Sequence, residues 1–307
     1  MRPHVLILPG LFLFLFFNLW PIVYSIYISF TDANIRNFPQ PPPWAPEEIK
    51  SSRPPLNYVG LDNYLSIFAG PASSGFFNAV FWTIVFVILS VPAKVALGLF
   101  MGLLMSSENV AGKSIMRAFL IVPWSLPLIL SVVAWRYVFD PTYGVVNQFL
   151  YALGVSKPPD WIVQKDYAYV AMVVIEAWLA YPFIMTIVMG ALANVPKAAY
   201  EAAYIDGASR WKIFIHITLP LIKRPLIYAT VMTTAASLQF FLVAYLWNFI
   251  QLYDRFILAY GFYWAFGSPF REYGLAAAVL TMSALFISIF MILAIRLAGL
   301  MRGMYES

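Results

Sequence analysis

Apolar residues in this chain come in long blocks rather than in the short periodic stripes of a soluble protein. Six stretches, 5–30, 77–105, 115–139, 167–193, 225–250 and 273–299, each hold about the 20 mostly apolar residues that a helix needs to cross a bilayer. Each is predicted to be a transmembrane helix, so the expected fold is all-α and polytopic, a single transmembrane domain over 1–307. Proline and glycine recur inside the blocks, at Pro92, Gly98, Gly102, Pro123, Pro127, Pro182 and Gly190. In lipid, neighbouring helices re-satisfy the backbone groups that proline frees, so the spans are expected to bend.

Polar positions gather in two connections. The first, 31–76 on the outer side, contains FPQPPPWAPEEIKSSRPP, whose proline density excludes a helix and favours extended, polyproline-like chain. A solvated linker is one reading of it. The following YVGLDNYLSIF places Leu61, Tyr64, Leu65 and Phe68 at helical spacing, which predicts a short helix lying on the outer surface.

The second connection, 194–224, contains PKAAYEAAYIDGASRWKIFIHITLP. Pro196 suits the first turn of a helix, Lys197 to Asp206 continues it, and Gly207 falls at the C′ position, where left-handed backbone favours glycine. Ser209 is placed to cap a second helix with Trp211, Phe214, Ile215 and Thr218 on one face, stopped by Leu219-Pro220 and Lys223-Arg224-Pro225. Two short helices joined by a tight turn are predicted. Ala199, Ala202, Ala203 and Asp206 fall on one side of the first, a surface of small residues suited to docking. A plain solvated connector is the other reading, but a few residues would suffice for that.

Composition agrees with the blocks: 62% of 307 residues are hydrophobic and 11% charged, against about 25% charged in soluble domains. The mean hydropathy is +0.78. There is no cysteine, and His4 and His216 lie too far apart in sequence to suggest a metal pair. The net charge of +5 is scattered rather than massed, which argues against nucleic acid.

Lysine and arginine are densest in the short segments assigned to the inside: Arg2, Lys113, Arg117, Lys197, Arg210, Lys212, Lys223, Arg224, Arg296 and Arg302, against Glu108, Glu201, Asp206 and Glu306. Arg36, Lys50, Arg53, Arg136, Lys157, Lys165, Arg255 and Arg271 are spread over longer outer segments. This bias predicts a multi-pass protein of the cell membrane with both termini cytoplasmic. The first block reads as a retained span, since it is too long for a signal-peptide core and lacks an Ala-x-Ala-like cleavage site.

Lys94 and Glu176 lie inside predicted spans, where an ionisable residue is functional by default. They either pair, face a wet cavity, or relay protons as in an ion-coupled secondary transporter. SENVAGKS at 107–114 imitates a phosphate-binding loop, but Ser107 replaces the first glycine and a membrane helix precedes it, so ATP binding here is not expected. No H-E-x-x-H or G-x-S-x-G string is present to carry enzyme chemistry, and no catalytic or metal residue is assigned.

The string EAAYIDGASRWKIFIHITLPL, with Glu201, Ala202, Ala203, Gly207, Ile217, Leu219 and Pro220 at the right spacing, resembles the EAA loop of ABC importer membrane subunits. The added Asp206-Gly207-Ala208 looks like the carbohydrate, maltose-type branch. VGLDNYL at 59–65, RAFLIVPWSLP at 117–127, EAWLAYPF at 176–183 and YGLAAAVL at 273–280 extend the resemblance over most of the chain. It implies a six-helix core forming half of a sugar path, with a second permease subunit, an ATPase subunit pair and an extracytoplasmic sugar-binding protein as partners. ATP and Mg would be bound by the ATPase partner, with no cofactor in this chain.

For coupling to the ATPase the resemblance points to Glu201, Ala202, Ala203, Asp206, Gly207 and Trp211. For sugar it points to Trp178, Leu179 and Ala180, where the indole would stack on a sugar ring or simply pack between helices. In SLQFFLVAYLWNFIQLYD, Phe241, Tyr245 and Asn248 share a face at helical spacing. In lipid Asn248 needs a partner, either a neighbouring helix or a ligand hydroxyl. Tyr245 and Asn248 match sugar-contacting positions, although the family has asparagine where Tyr245 stands. After Tyr253, ILAYGFYWAFGSP replaces the family's Thr-x-Gly-Gly-Pro, so the outer loop before the last span is expected to be rebuilt.

Overall fold

The computed structural model describes residues 3–40, 44, 46, 48, 53–107 and 110–297. Arg2, Lys50, Glu108, Arg302 and Glu306 of the charge count, both chain termini, half of the proline-rich run 38–55 and part of SENVAGKS lie outside them. Among the described residues the protein is helical, with one isolated antiparallel bridge, Thr31 to Tyr58. Four helices are each long and apolar enough to cross a membrane: Ile7–Ile28, Ser73–Ser106, Lys165–Ala193 and Tyr273–Arg296. Two bent pairs, Lys113–Ser125 with Leu128–Val138 and Arg210–Leu238 with Leu242–Arg255, bring the spans to as many as six if each pair counts as one.

The third predicted span is therefore not one rod: its halves meet at 99°. Leu126 takes extended backbone (φ −75°, ψ 141°), the conformation that a following proline imposes, here Pro127. Hydropathy counts apolar length and is blind to that turn.

The chain forms two contact units. One comprises the described residues up to Phe81 with Tyr253–Phe286. Its core joins Ile67, Phe76, Ile257, Tyr260, Leu275 and Val279. The predicted outer helix is present as Asp62–Ala69. Tyr64 turns inward to bond Ser29 Oγ at 2.6 Å, while Leu61, Leu65 and Phe68 stay exposed. At the base of the outer loop the Asp32 carboxylate accepts from Asn57 N, Asn57 Nδ2 and Asn37 Nδ2 at 2.8–2.9 Å. The rebuilt segment after Tyr253 is helix rather than loop, Ile257–Phe262 running into a π-turn at Tyr263–Gly267, and Tyr260 donates to the Ala72 carbonyl at 2.9 Å.

The other unit comprises Trp82–Leu252 and the described residues from Ile287. Within it, the part of the helix Ser73–Ser106 that follows Phe81 approaches Lys165–Ala193 through a G-x-x-x-G pair. A Cβ at Gly98 would stand 2.6 Å from Ile184 Cβ, and one at Gly102 2.6 Å from Val188 Cγ1. Small residues at this spacing let two membrane helices meet backbone to backbone. Ile184, Val188, Ile222 and Ala229 continue that contact toward Leu219–Leu238.

Candidate docking element and substrate path

The polar connection folds as Lys197–Ile205, a turn, and a second helix beginning at Arg210. Gly207 has φ +69°. Ala208 N donates to the Ala203 carbonyl at 3.0 Å and Gly207 N to the Tyr204 carbonyl at 3.1 Å. That pair of bonds is a Schellman ending, which satisfies carbonyls the helix terminus would otherwise leave open. Ser209 Oγ accepts from Lys212 N and caps the next helix, as its sequence position indicates.

Two corrections follow. The second helix is not short: it runs from Arg210 to Leu238, through Pro220 and Pro225. The π-turn Phe214–Thr218, where Leu219 N donates to the Phe214 carbonyl, absorbs the register change that the prolines would otherwise turn into a stop. The polar helix-turn-helix is thus the end of a longer apolar helix. Secondly, Ala203 is buried, at 8% exposure, so it faces its own chain and leaves the surface of small residues that was expected to dock.

Glu201, Ala202, Asp206, Gly207 and Trp211 are exposed. Around them stand two residues that sequence reasoning passed over, Tyr204 and Ile205, at 60% and 86% exposure, beside Trp211 at 68%. Their signal was an apolar pair beside a predicted glycine turn. Tyr200 Oη and Thr218 Oγ1, 3.3 Å apart, tie the two arms. Behind the element lies a cavity of about 1020 Å³, lined among others by Ser106, Arg117, Met189, Tyr200 and Glu201.

The sugar-path candidates sit in an aromatic seam. Trp178 is half-buried and meets Trp135 edge to face, centroids 5.5 Å apart, with Leu179 and Ala180 half-buried beside it. Trp135 stacks on Phe139, which touches Trp161 and Trp247 at 5.3 and 5.9 Å. Phe241, Tyr245 and Phe249 form a second row at 5.7 and 5.5 Å.

Asn248 does not share one helical face with Phe241 and Tyr245. Phe241 precedes the helix Leu242–Leu252, and Asn248 occupies a kink within it at φ −160°, ψ 88°. Its side chain donates to the Ile162 carbonyl at 3.0 Å, so its partner is a neighbouring backbone group. The kink frees carbonyls, and Arg136 donates to those of Trp247 at 2.6 Å and Leu246 at 3.2 Å. Arg136, counted from sequence only as an outer charge, thereby stabilises the irregular backbone, as lipid-embedded chain requires.

Lys94 and Glu176 pair, Nζ to Oε1, at 2.7 Å, with Lys94 wholly buried.

Four to six apolar spans, an exposed polar helix-turn-helix at the end of one of them and an aromatic seam among helices mark a polytopic membrane protein. Residues 94–302 match the family described as binding-protein-dependent transport system inner membrane component, and the chain belongs to it. It is 32% identical over 242 residues to the trehalose/maltose transport system permease protein MalF of Thermococcus litoralis, covering 79% of this chain and 75% of the relative. To the galactooligosaccharides transport system permease protein GanP of Bacillus subtilis it is 27% identical, over 80% of this chain but only 56% of that one. In fold it is similar to a chain of a bacterial ABC transporter involved in the import of the acidic polysaccharide alginate, with TM-score 0.73, 19% identity and coverage of 96% and 94%. It is also similar to a chain of the MetNI methionine ABC transporter, with TM-score 0.53, 20% identity and coverage of 75% and 98%. Family membership leaves no support for the ion-coupled alternative.

Proposed function

We propose that this chain forms half of the translocation path of an ATP-driven importer for a sugar or oligosaccharide, working with a second permease, an ATPase pair and an extracytoplasmic binding protein. ATP and Mg belong to the ATPase partner. Glu201, Ala202, Asp206, Gly207 and Trp211, joined by Tyr204 and Ile205, dock on that ATPase from the cytoplasmic side, where both termini also lie. The observation that carries this reading is the exposed apolar trio Tyr204, Ile205 and Trp211, held beside a rigid turn at the end of a span. Closure of an ATPase pair would move such an end and tilt the helices attached to it.

The substrate class rests on the relatives' names and on the aromatic seam, whose faces suit sugar rings. Trp178, Leu179, Ala180, Phe241, Tyr245 and Asn248 are the candidates for contact. Co-purification with the cognate ATPase and ATP-dependent sugar uptake test the reading. Glu201→Ala and Gly207→Pro should lose both while the spans stay folded, whereas uptake that persists without any ATPase would overturn it.

A further inference from the structure

Lys94, Glu176, Ser237 and Thr233 meet from three helices. Lys94 Nζ donates to Glu176 Oε1 at 2.7 Å, to Ser237 Oγ at 2.5 Å and to the Thr233 carbonyl at 3.2 Å. An ammonium has three protons, and all three are used. Ser237 Oγ also lies 2.7 Å from Glu176 Oε1. The glutamate is half-used: Oε1 takes both partners, and Oε2 is buried without a hydrogen-bond partner.

The position of this cluster gives it meaning. Ser237 is the penultimate residue of the helix Arg210–Leu238, just before the break at Gln239–Phe241. The same helix starts at the docking element. At about 1.5 Å per residue it is a rod roughly 40 Å long. One end meets the ATPase in the reading above, and the other is gripped by an ion pair from two further spans.

Apolar residues of similar volume would hold three helices together without desolvating charges. The directed bonds instead fix where the rod's end sits. The idle Oε2 is a ready acceptor for a second arrangement when the rod moves, and packed networks switch between discrete arrangements rather than deforming smoothly.

We infer that Lys94, Glu176 and Ser237 form a clasp that passes movement of the docking element to the helices of the path. They are positioning residues that contact neither ATP nor sugar. This rests on the docking reading of residues 197–213.

The test uses the complete transporter in proteoliposomes with its binding protein, reading ATPase co-purification, ATP hydrolysis and sugar moved per ATP. Glu176→Gln and Ser237→Ala should keep the ATPase bound and hydrolysing, while sugar moved per ATP falls by roughly tenfold, within the usual range of couplings between sites. The exchanged pair, Lys94→Glu with Glu176→Lys, should recover much of that ratio. An unchanged ratio in both single variants would overturn the clasp. So would loss of assembly in Ser237→Ala, which leaves both charges paired and would mark the cluster as a folding element. Failure of the docking reading shows separately, as an unmodified chain that does not retain the ATPase.

Discussion

Gly207 and Asp140 show how much a single residue can determine. At φ +69° an alanine in place of Gly207 would meet no neighbour, so its penalty is backbone strain alone, about 1–2 kcal/mol. Gly207→Ala should lower the unfolding temperature slightly and Gly207→Pro much more, a comparison that thermal unfolding in detergent will read. Asp140 lies in the turn before Val145–Ala152, where its Oδ1 accepts from Tyr143 N at 2.8 Å and Thr142 N at 2.9 Å. These two bonds hold its carboxyl below the usual carboxylate range, that to Tyr143 first. A lowered folded-state value means the turn keeps its full benefit above the ordinary carboxylate pKa and loses it as pH falls through the folded one. Protection of the Thr142 and Tyr143 amides, taken relative to their intrinsic exchange rates, should therefore fall in acid, and Asp140→Asn, which keeps an acceptor oxygen, should abolish that dependence. Gly207 and Ser209 act within a few positions of themselves, which is why both were legible in the sequence. The partners of Arg136 and Asn248 lie 110–111 and 86 residues away, and local pattern carries no trace of them.

Among the elements, the long apolar blocks were readable and their breaks were not. Pro127 stands at a 99° break, whereas the helix Arg210–Leu238 continues through Pro220 and Pro225, with a π-turn preceding the latter two and an extended residue preceding Pro127. Proline alone does not tell these cases apart. The G-x-x-x-G pair was likewise visible as letters, but its partner helix appears only in the fold. Gly98→Val would drive its Cβ against Ile184 and to 2.9 Å from the Tyr181 backbone oxygen. Because one obstacle is backbone, the helices must part, at about 1–3 kcal/mol. Gly190→Ala, with nothing within 4 Å, should leave stability unchanged or raise it slightly, so the pair of unfolding temperatures separates helix contact from helix propensity.

For the molecule as a whole, the decisive matter is which side of the membrane each polar connection occupies. Hydropathy counts spans, and the charge bias that orients them is moderate here because the outer segments hold nearly as many Lys and Arg residues as the inner ones. The chain has no cysteine, so a single introduced thiol is a site-specific reporter without background. Ile205 and Tyr143, each 86% exposed, stand at the docking turn and in the connection between Leu128–Val138 and Val145–Ala152. Ile205→Cys should react with a membrane-impermeant maleimide only in inside-out vesicles, and Tyr143→Cys only in right-side-out ones. Adding the ATPase should then shield Ile205→Cys and leave Tyr143→Cys unaffected. Labelling of both from one side would place the docking turn and the connection at Tyr143 on the same face and remove the mechanical basis of the proposed importer.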